Sequence, residues 1–332
     1  MAERADQPSR LARSVSDDDI VLPFGTVKSH ISGRIVRLGP AVDRVLSAHD
    51  YPEAVSATLG EALALTALLG HPLKPGGRLI LQTKTDGPLG FLVVHYDAPG
   101  AMRGYASYDR DRIASLGGGP GSIAAANLIG IGRMAMTIDP GSNLESHQGI
   151  VALDGGSLTD AAHAYFRQSE QLPTFIRLAV ARQMMGGSSG GPSPWRWRAG
   201  GLIVQHVPRL GGDARRDETP EERDTRLHGD DDDDWLRVAT LAGTVESHEL
   251  VDPMLSPERL LMRLFHEEGV RVGEETPVAA KCRCSRGRIA GFLGGFTAAD
   301  LADMREPDGA VTVTCEFCST KYRFDDSDLA RL

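Results

Sequence analysis

The chain has 332 residues, 41% of them hydrophobic and 24% charged, with a net charge of −9. This balance excludes wholesale disorder, collagen and a small disulfide-stapled scaffold, and the length suggests about two domains. With 38 glycines and only 5% aromatics, many turns and a mainly aliphatic core are expected.

Residues 1–18 are polar and aperiodic and read as a disordered tail. They hold arginines but no apolar stretch of the kind a secretory signal needs. No run of about 18 uncharged apolar residues suggests a membrane span, so a soluble cytosolic protein without membrane contact is expected. Residues 19–208 read as an N-terminal mixed α/β domain. Candidate strands are Arg78–Thr85, Phe91–Tyr96, Met102–Ser107 and Ile203–Val207, the first three joined by turns at Thr85-Asp86-Gly87-Pro88 and Asp97-Ala98-Pro99-Gly100. Ala54–Leu69 is Ala/Leu-rich, and Leu158–Glu170 sets Leu158, Ala162, Tyr165 and Phe166 on one helical stripe.

Residues 186–194 (GGSSGGPSP) read as a flexible loop, and 209–276 as an acidic insert followed by a helical regulatory linker. From Gly211 to Asp234 there are eleven acids and four arginines. Most of the net charge sits in this solvated block, and the nearly neutral remainder lacks the basic footprint of a nucleic-acid binder. Trp235–Val245 forms an amphipathic stretch. Ser256-Pro257 supplies an N-cap and a first-turn proline for a helix through Leu260, Leu261, Leu264 and Phe265 that stops at Gly269. Neither helix can bury its stripe alone, so both are expected to pack on the N-terminal domain at rest.

The final segment, 277–332, reads as a strand (Val278–Cys282), helices (Arg286–Phe292, Ala298–Met304), a hairpin (Val311–Phe324) and a terminal helical turn. So short a unit has a marginal core and usually needs a staple. All four cysteines lie here: Cys282-Arg-Cys284, thirty residues, then Cys315-Glu-Phe-Cys318. Two close pairs brought together suit an all-cysteine tetrahedral zinc site, with sulfurs about 3.8 Å apart around one Zn2+. Residues two apart in a strand share a face, so the CxC pair can serve one ion. Such a site has no open position for water, which disfavours catalytic zinc. It could be a permanently closed staple. Lys281, Arg283 and Arg286 beside the first pair instead favour thiolate and hence reactivity toward oxidants.

With these residues in view the chain resembles the heat-shock protein 33 family of redox-regulated cytosolic holdase chaperones. The matching stretches are GRLILQTKTDGPLGFLVVHYDAPGAMRGYA (77–106), AYFRQSEQLPT (164–174), LFHEEGVRV (264–272), KCRCSR (281–286) and VTCEFCSTKYRF (313–324). The resemblance implies an α+β fold: an N-terminal α/β domain, a helical linker and a small four-cysteine zinc module. It implies that Cys282, Cys284, Cys315 and Cys318 bind zinc when reduced. Oxidation would then form the disulfides Cys282–Cys284 and Cys315–Cys318, release zinc and unfold module and linker. The partners it implies are unfolded client proteins, held without ATP, and a second copy of the chain on activation. The N-terminal tail and the acidic insert at 211–234 depart from the family pattern.

Weaker motifs carry less. Gly130-Ile-Gly132-Arg-Met-Ala135 fits a dinucleotide string but lacks its downstream acid and reads as a strand-edge turn. Gly187-Ser-Ser189-Gly-Gly191 matches a nucleophile-elbow string inside a Gly/Ser loop. His266-Glu-Glu starts like a zincin helix, yet Val270 stands where the second histidine belongs, so His266 reads as a surface histidine. The rival readings are a zinc-ribbon nucleic-acid binder and an enzyme with a structural zinc tail. No catalytic constellation supports the second.

Overall fold

The structure is a computed structural model that describes residues 18–117, 125–141, 145–184, 195–206 and 230–329. In chain order the first part forms β1 (Ile20–Thr26), β2 (Ser32–Leu38), α1 (Pro40–Leu46), α2 (Glu53–Gly70), β3 (Arg78–Thr85), β4 (Phe91–Asp97), β5 (Ala101–Ser107), α3 (Arg110–Ser115), α4 (Ala125–Ile129), β6 (Ile131–Asp139), β7 (His147–Asp154), α5 (Leu158–Tyr165), β8 (Thr174–Met184) and β9 (Trp195–Gln205). There follow α6 (Asp230–Gly243), α7 (Ser247–Val251), α8 (Pro257–Phe265), β10 (Val270–Val272), β11 (Thr276–Pro277), β12 (Ala279–Ala280), α9 (Arg286–Leu293), α10 (Ala298–Asp303), β13 (Val311–Thr314), β14 (Lys321–Phe324) and α11 (Asp326–Leu329).

Two six-stranded sheets enclose α2. The first runs β10-β1-β2-β9-β8 with β11 also on β1, and the second β12-β5-β4-β3-β6-β7. The α2 sequence is rich in Ala and Leu, strong helix formers, and apolar on nearly every side, the mark of a helix buried all round. By length and composition it could cross a membrane. Here Leu59, Leu63, Leu65 and Leu68 are instead fully enclosed in the main core. Gly70 lets the Tyr96 ring lie flat on its last turn, where a Cβ would overlap that ring.

Strand alternation gives the first sheet two apolar faces. Val21, Val36, Leu38, Ile176 and Ile203 point to α2 and the main core. Leu22, Phe24, Ile35, Ala179, Leu202 and Val204 point the other way, into a second core completed by Val238, Ala242, Val245, Leu250, Leu260, Leu261, Leu264 and Phe265 of α6–α8 and the turn between α6 and α7. The helices expected to pack on the N-terminal domain do so.

The strand meander β3–β5, the helix at α2 and the cap of α8 lie where the sequence puts them. Ser256 Oγ accepts from the Arg259 N–H at 3.3 Å, and Gly269 ends the segment with φ of +69°. Four elements differ. The strand expected at Ile203–Val207 begins at Trp195, because Gly200 and Gly201 serve close packing there rather than a turn. The helix expected from Trp235 starts at Asp230, with Asp233 and Asp234 near its positive N-terminal end, where acids are favoured. The helix expected through Glu170 is α-helical only to Tyr165 and widens to a π-turn over Phe166–Glu170. The strand expected at Val278–Cys282 shrinks to Ala279–Ala280 and pairs with β5 at the edge of the second sheet. Gly130 has φ of +69° and leads into antiparallel β6, so the dinucleotide string is a strand-edge turn. His266 is exposed. The string at Gly187–Gly191 and the acidic residues 211–229 lie outside the described residues.

Candidate metal centre

Two short pieces of backbone bring the cysteines together. Cys282 and Cys284 lie in the extended stretch after β12, just before Ser285 caps α9 by accepting from the Arg288 N–H. Cys315 and Cys318 occupy the turn of the β13–β14 hairpin. That turn is closed by Cys315 N–H to Thr320 O (2.9 Å) and Ser319 N–H to Cys315 O (2.8 Å), with Ser319 in the left-handed region at φ of +54°. All four Sγ atoms lie within 4.8 Å of one another. The Cys282–Cys315 and Cys284–Cys318 sulfurs are 3.6 and 3.4 Å apart. These spacings suit the edges of a tetrahedron about a single ion with sulfur bonds of about 2.3 Å. The four soft sulfur donors can hold a metal ion and would close its coordination shell.

The thiols are half-buried and electrostatically unequal. Burial pushes Cys284 up to about 12, against the hydrogen bond from Tyr322 Oη (3.1 Å). Burial also raises Cys315. At Cys318 burial acts in the same sense, but hydrogen bonds from the Thr320 hydroxyl and backbone, together with the neighbouring thiols, outweigh it and bring the group down to about 7. A cation bound among the four would favour the thiolate at each.

Around the sulfurs the module is thin. Among the described residues its apolar cluster has three buried members, Leu293, Val311 and Phe324. It leans on the second sheet for the rest. The Lys281 N–H donates to Met102 O at 2.8 Å. Arg283 forms a two-pronged ion pair with Asp97 of β4, its Nε 2.8 Å from Oδ2. Phe317, between the two hairpin cysteines, sits under Arg103 and beside His95 and Tyr105. Ser319 Oγ meets His49 Nδ1 at 3.2 Å.

Arg283 and Arg286 therefore do not act as the sequence suggested. Arg283 is committed to Asp97, while Arg286 pairs with Asp328 (2.6 Å) and covers the Phe324 ring. The polar neighbours of the sulfurs are Tyr322 and Thr320, which sequence reasoning missed. Their positions four and two residues after Cys318, on the return of a CxxC hairpin, were the available signal. Phe317 was missed as well, although an aromatic residue inside a CxxC loop is conspicuous.

The family model described as Hsp33 protein matches residues 19–325. The chain belongs to the Hsp33 family. It is 42% identical over 308 residues to the 33 kDa chaperonin of Caulobacter vibrioides, covering 93% of this chain and 95% of that one. It is 36% identical over 319 residues to the 33 kDa chaperonin of Azotobacter vinelandii, covering 96% and 95%. The fold matches the crystal structure of the 33 kDa chaperonin from Thermotoga maritima with a TM-score of 0.69 at 23% identity, over 94% of this chain and 97% of that one.

In this Hsp33-family chain the cover over the first sheet is held at distinct points. Phe265 stacks on Phe24 with centroids 5.6 Å apart. The Leu250 carbonyl lies over Gly200 of β9, where no side chain could fit. Arg237 of α6 binds the buried Glu268 carboxylate at 2.6 Å, and Arg263 of α8 binds Glu249 of α7 at 2.5 Å. Beyond the helices β10 and β11 pair with β1, and β12 pairs with β5 immediately before Cys282. The cover and the thiol centre are thus consecutive in the chain and anchored on opposite sheets.

Proposed function

We propose that this protein is an ATP-independent holdase chaperone, closed while its four thiols are reduced and opened by their oxidation under oxidative stress. The observation that carries this reading is the apolar face of the first sheet. It is buried beneath α6–α8, and those helices run on into a module whose own apolar cluster has three buried members among the described residues, beside four clustered thiols.

Cys282, Cys284, Cys315 and Cys318 would hold one Zn2+, whose binding can supply ~10–16 kcal/mol of folding free energy to a small module. So few buried side chains cannot replace that amount. Peroxide takes two electrons from each thiol pair: an S–S bond forms, the O–O bond breaks and water leaves with the thiol protons. We assign the pairs as Cys282–Cys284 and Cys315–Cys318. With all four sulfurs within 4.8 Å, proximity in the folded centre does not choose among pairings. Once the hairpin opens, partners two or three residues apart have the shorter loop to close. A disulfide sulfur is no longer a thiolate donor, so the module loses its staple.

As the module melts, β12 leaves β5 and the Arg283–Asp97 pair separates. The linker then loses its C-terminal anchor, and α6–α8 can lift from the sheet. Leu22, Phe24, Ile35, Leu202 and Val204 form a floor that would hold apolar segments of unfolded clients. An exposed face of this size also favours pairing with a second copy, so we assign a homodimer to the activated state. The cytoplasm suits the device, because its reducing poise keeps the thiols free until an oxidant arrives.

The test compares zinc-loaded reduced protein with peroxide-treated protein in suppressing light scattering by a heat-unfolded enzyme without ATP, with zinc release followed by a chromogenic chelator. Suppression by the oxidised form alone, in step with zinc release, is expected. Equal suppression by both forms, or none by either, overturns the reading.

A further inference from the structure

Two buried guanidiniums, Arg37 and Arg198, stand at the edge of the covered face and both donate to backbone carbonyls of the linker. Arg198 of β9 donates through Nε to the Val251 carbonyl at 2.7 Å and holds Asp18 at 2.5 Å. Val251 is the last residue of α7, so this carbonyl is one that a helix end leaves without an internal partner. Arg37 of β2 donates through one terminal nitrogen to the Leu255 carbonyl, in the connection between α7 and α8. Arg37 is only 4% exposed, and its other terminal nitrogen is buried with no hydrogen-bond partner among the described residues.

A buried guanidinium needs compensation for lost hydration. Arg37 makes no ion pair among the described residues. The acids acting on it are Asp18, Asp252 and Glu258, and Arg198 opposes them. Two of those acids, and both carbonyls, belong to the linker. When the linker lifts, Arg37 and Arg198 lose these acceptors together and keep only Asp18, which is already committed to Arg198. The face then presents an apolar floor bordered by two cations with unfilled donors.

We propose that Arg37 and Arg198 read acceptor oxygens on the client. The uncovered face would thereby select apolar segments that end a short helix in free carbonyls and carry a carboxylate close by. The linker's own run from Val251 to Glu258 has this chemistry and occupies the site as an internal substitute. Purely apolar or basic segments would bind the same floor less tightly. This inference rests on the reading of the first-sheet face as the client surface.

A fluorescein-labelled peptide of residues 245–266 serves as the probe, titrated by anisotropy into peroxide-activated full-length protein. Wild-type protein should bind it, and Arg37→Met should weaken binding roughly ten-fold, the worth of a hydrogen bond to a charged group. Arg37→Lys should recover part of that loss. A second measurement varies the peptide. The same peptide with Asp252→Asn and Glu258→Gln should bind wild-type protein several-fold more weakly, and the Arg37→Met protein should not distinguish the two peptides. If wild-type protein binds both peptides equally, the acceptor-reading role is wrong while the client surface stands. If activated wild-type protein binds neither, the surface reading fails and the inference with it.

Discussion

Arg103 lies over the ring of Phe317, its guanidinium carbon 4.0 Å from the ring centroid. One residue is on β5 in the second sheet, and the other sits between the two cysteines of the hairpin turn. In the proposed function, oxidation of Cys315 and Cys318 would reshape the turn that carries Phe317, and this contact would couple the thiol centre to the second sheet.

Phe317→Ala removes the stacking partner of Arg103 without touching a sulfur. A cation–π contact is worth about 0.5–2 kcal/mol, which raises the undocked population several-fold or more. Reduced protein should still take up one zinc per chain, but its thiols should react several-fold faster with peroxide. Unchanged thiol oxidation would show that docking of this loop does not limit access to the centre.

Cys318→Ser separates a regulated centre from an inert staple. Loss of one of four ligands removes several kcal/mol from a site supplying ~10–16, more than so small an apolar cluster can spare. If the centre restrains the linker, the reduced variant should show partial holdase activity that grows with mild heating. Soluble variant protein that stays inactive both reduced and warmed would sink the restraint model, even with zinc binding confirmed in the wild type.

The Arg237–Glu268 latch gives a pH-dependent expectation. Hydrogen bonds from Arg237 hold the Glu268 carboxyl below its ordinary value of 4.5. A depressed carboxylate stabilises the docked linker fully above about pH 4.5, and that contribution is lost as pH falls through the lowered value. Glu268→Gln should therefore loosen α6 at pH 7, seen as faster amide exchange across Asp230–Gly243 in reduced protein. Its difference from wild type should narrow below pH 4.5. Loss of metal in acid acts on both proteins alike, so the difference isolates the latch. An equal gap at both pH values would assign the effect to packing rather than charge.

How far the sequence could be read depended on whether an element is defined locally. The β3–β5 meander carries its own turns, α2 its own composition and α8 its own Ser256-Pro257 cap, so each is visible in a short window. The clustering of the four cysteines follows from spacing alone. What escaped depends on distant partners. β2 pairs with β9, more than 150 residues away, and β10–β12 have two or three residues each, defined only by the strands they join. Arg283 looks like a cation beside a thiol until Asp97 comes within reach through the fold.

Gly200 offers the cleanest separation of cover from metal. It lies in the middle of β9 with an ordinary strand conformation, so glycine is not required there by backbone geometry. It is required by the Leu250 carbonyl of α7, which a Cβ at this position would overlap. Backbone on both sides leaves no flexible side chain to yield, and forcing extra volume into such a contact typically costs about 1–3 kcal/mol. The strand is held in register by β2 and β8, while α7 is a five-residue helix, so the helix should be the part that moves. Gly200→Ala should thus lift the cover while the thiol centre, anchored on the other sheet, stays intact. The expected result is holdase activity in fully reduced protein that retains one zinc per chain and unoxidised thiols. Reduced, zinc-loaded Gly200→Ala protein that is folded yet as inactive as wild type would show that displacing α7 is not enough to open the client surface.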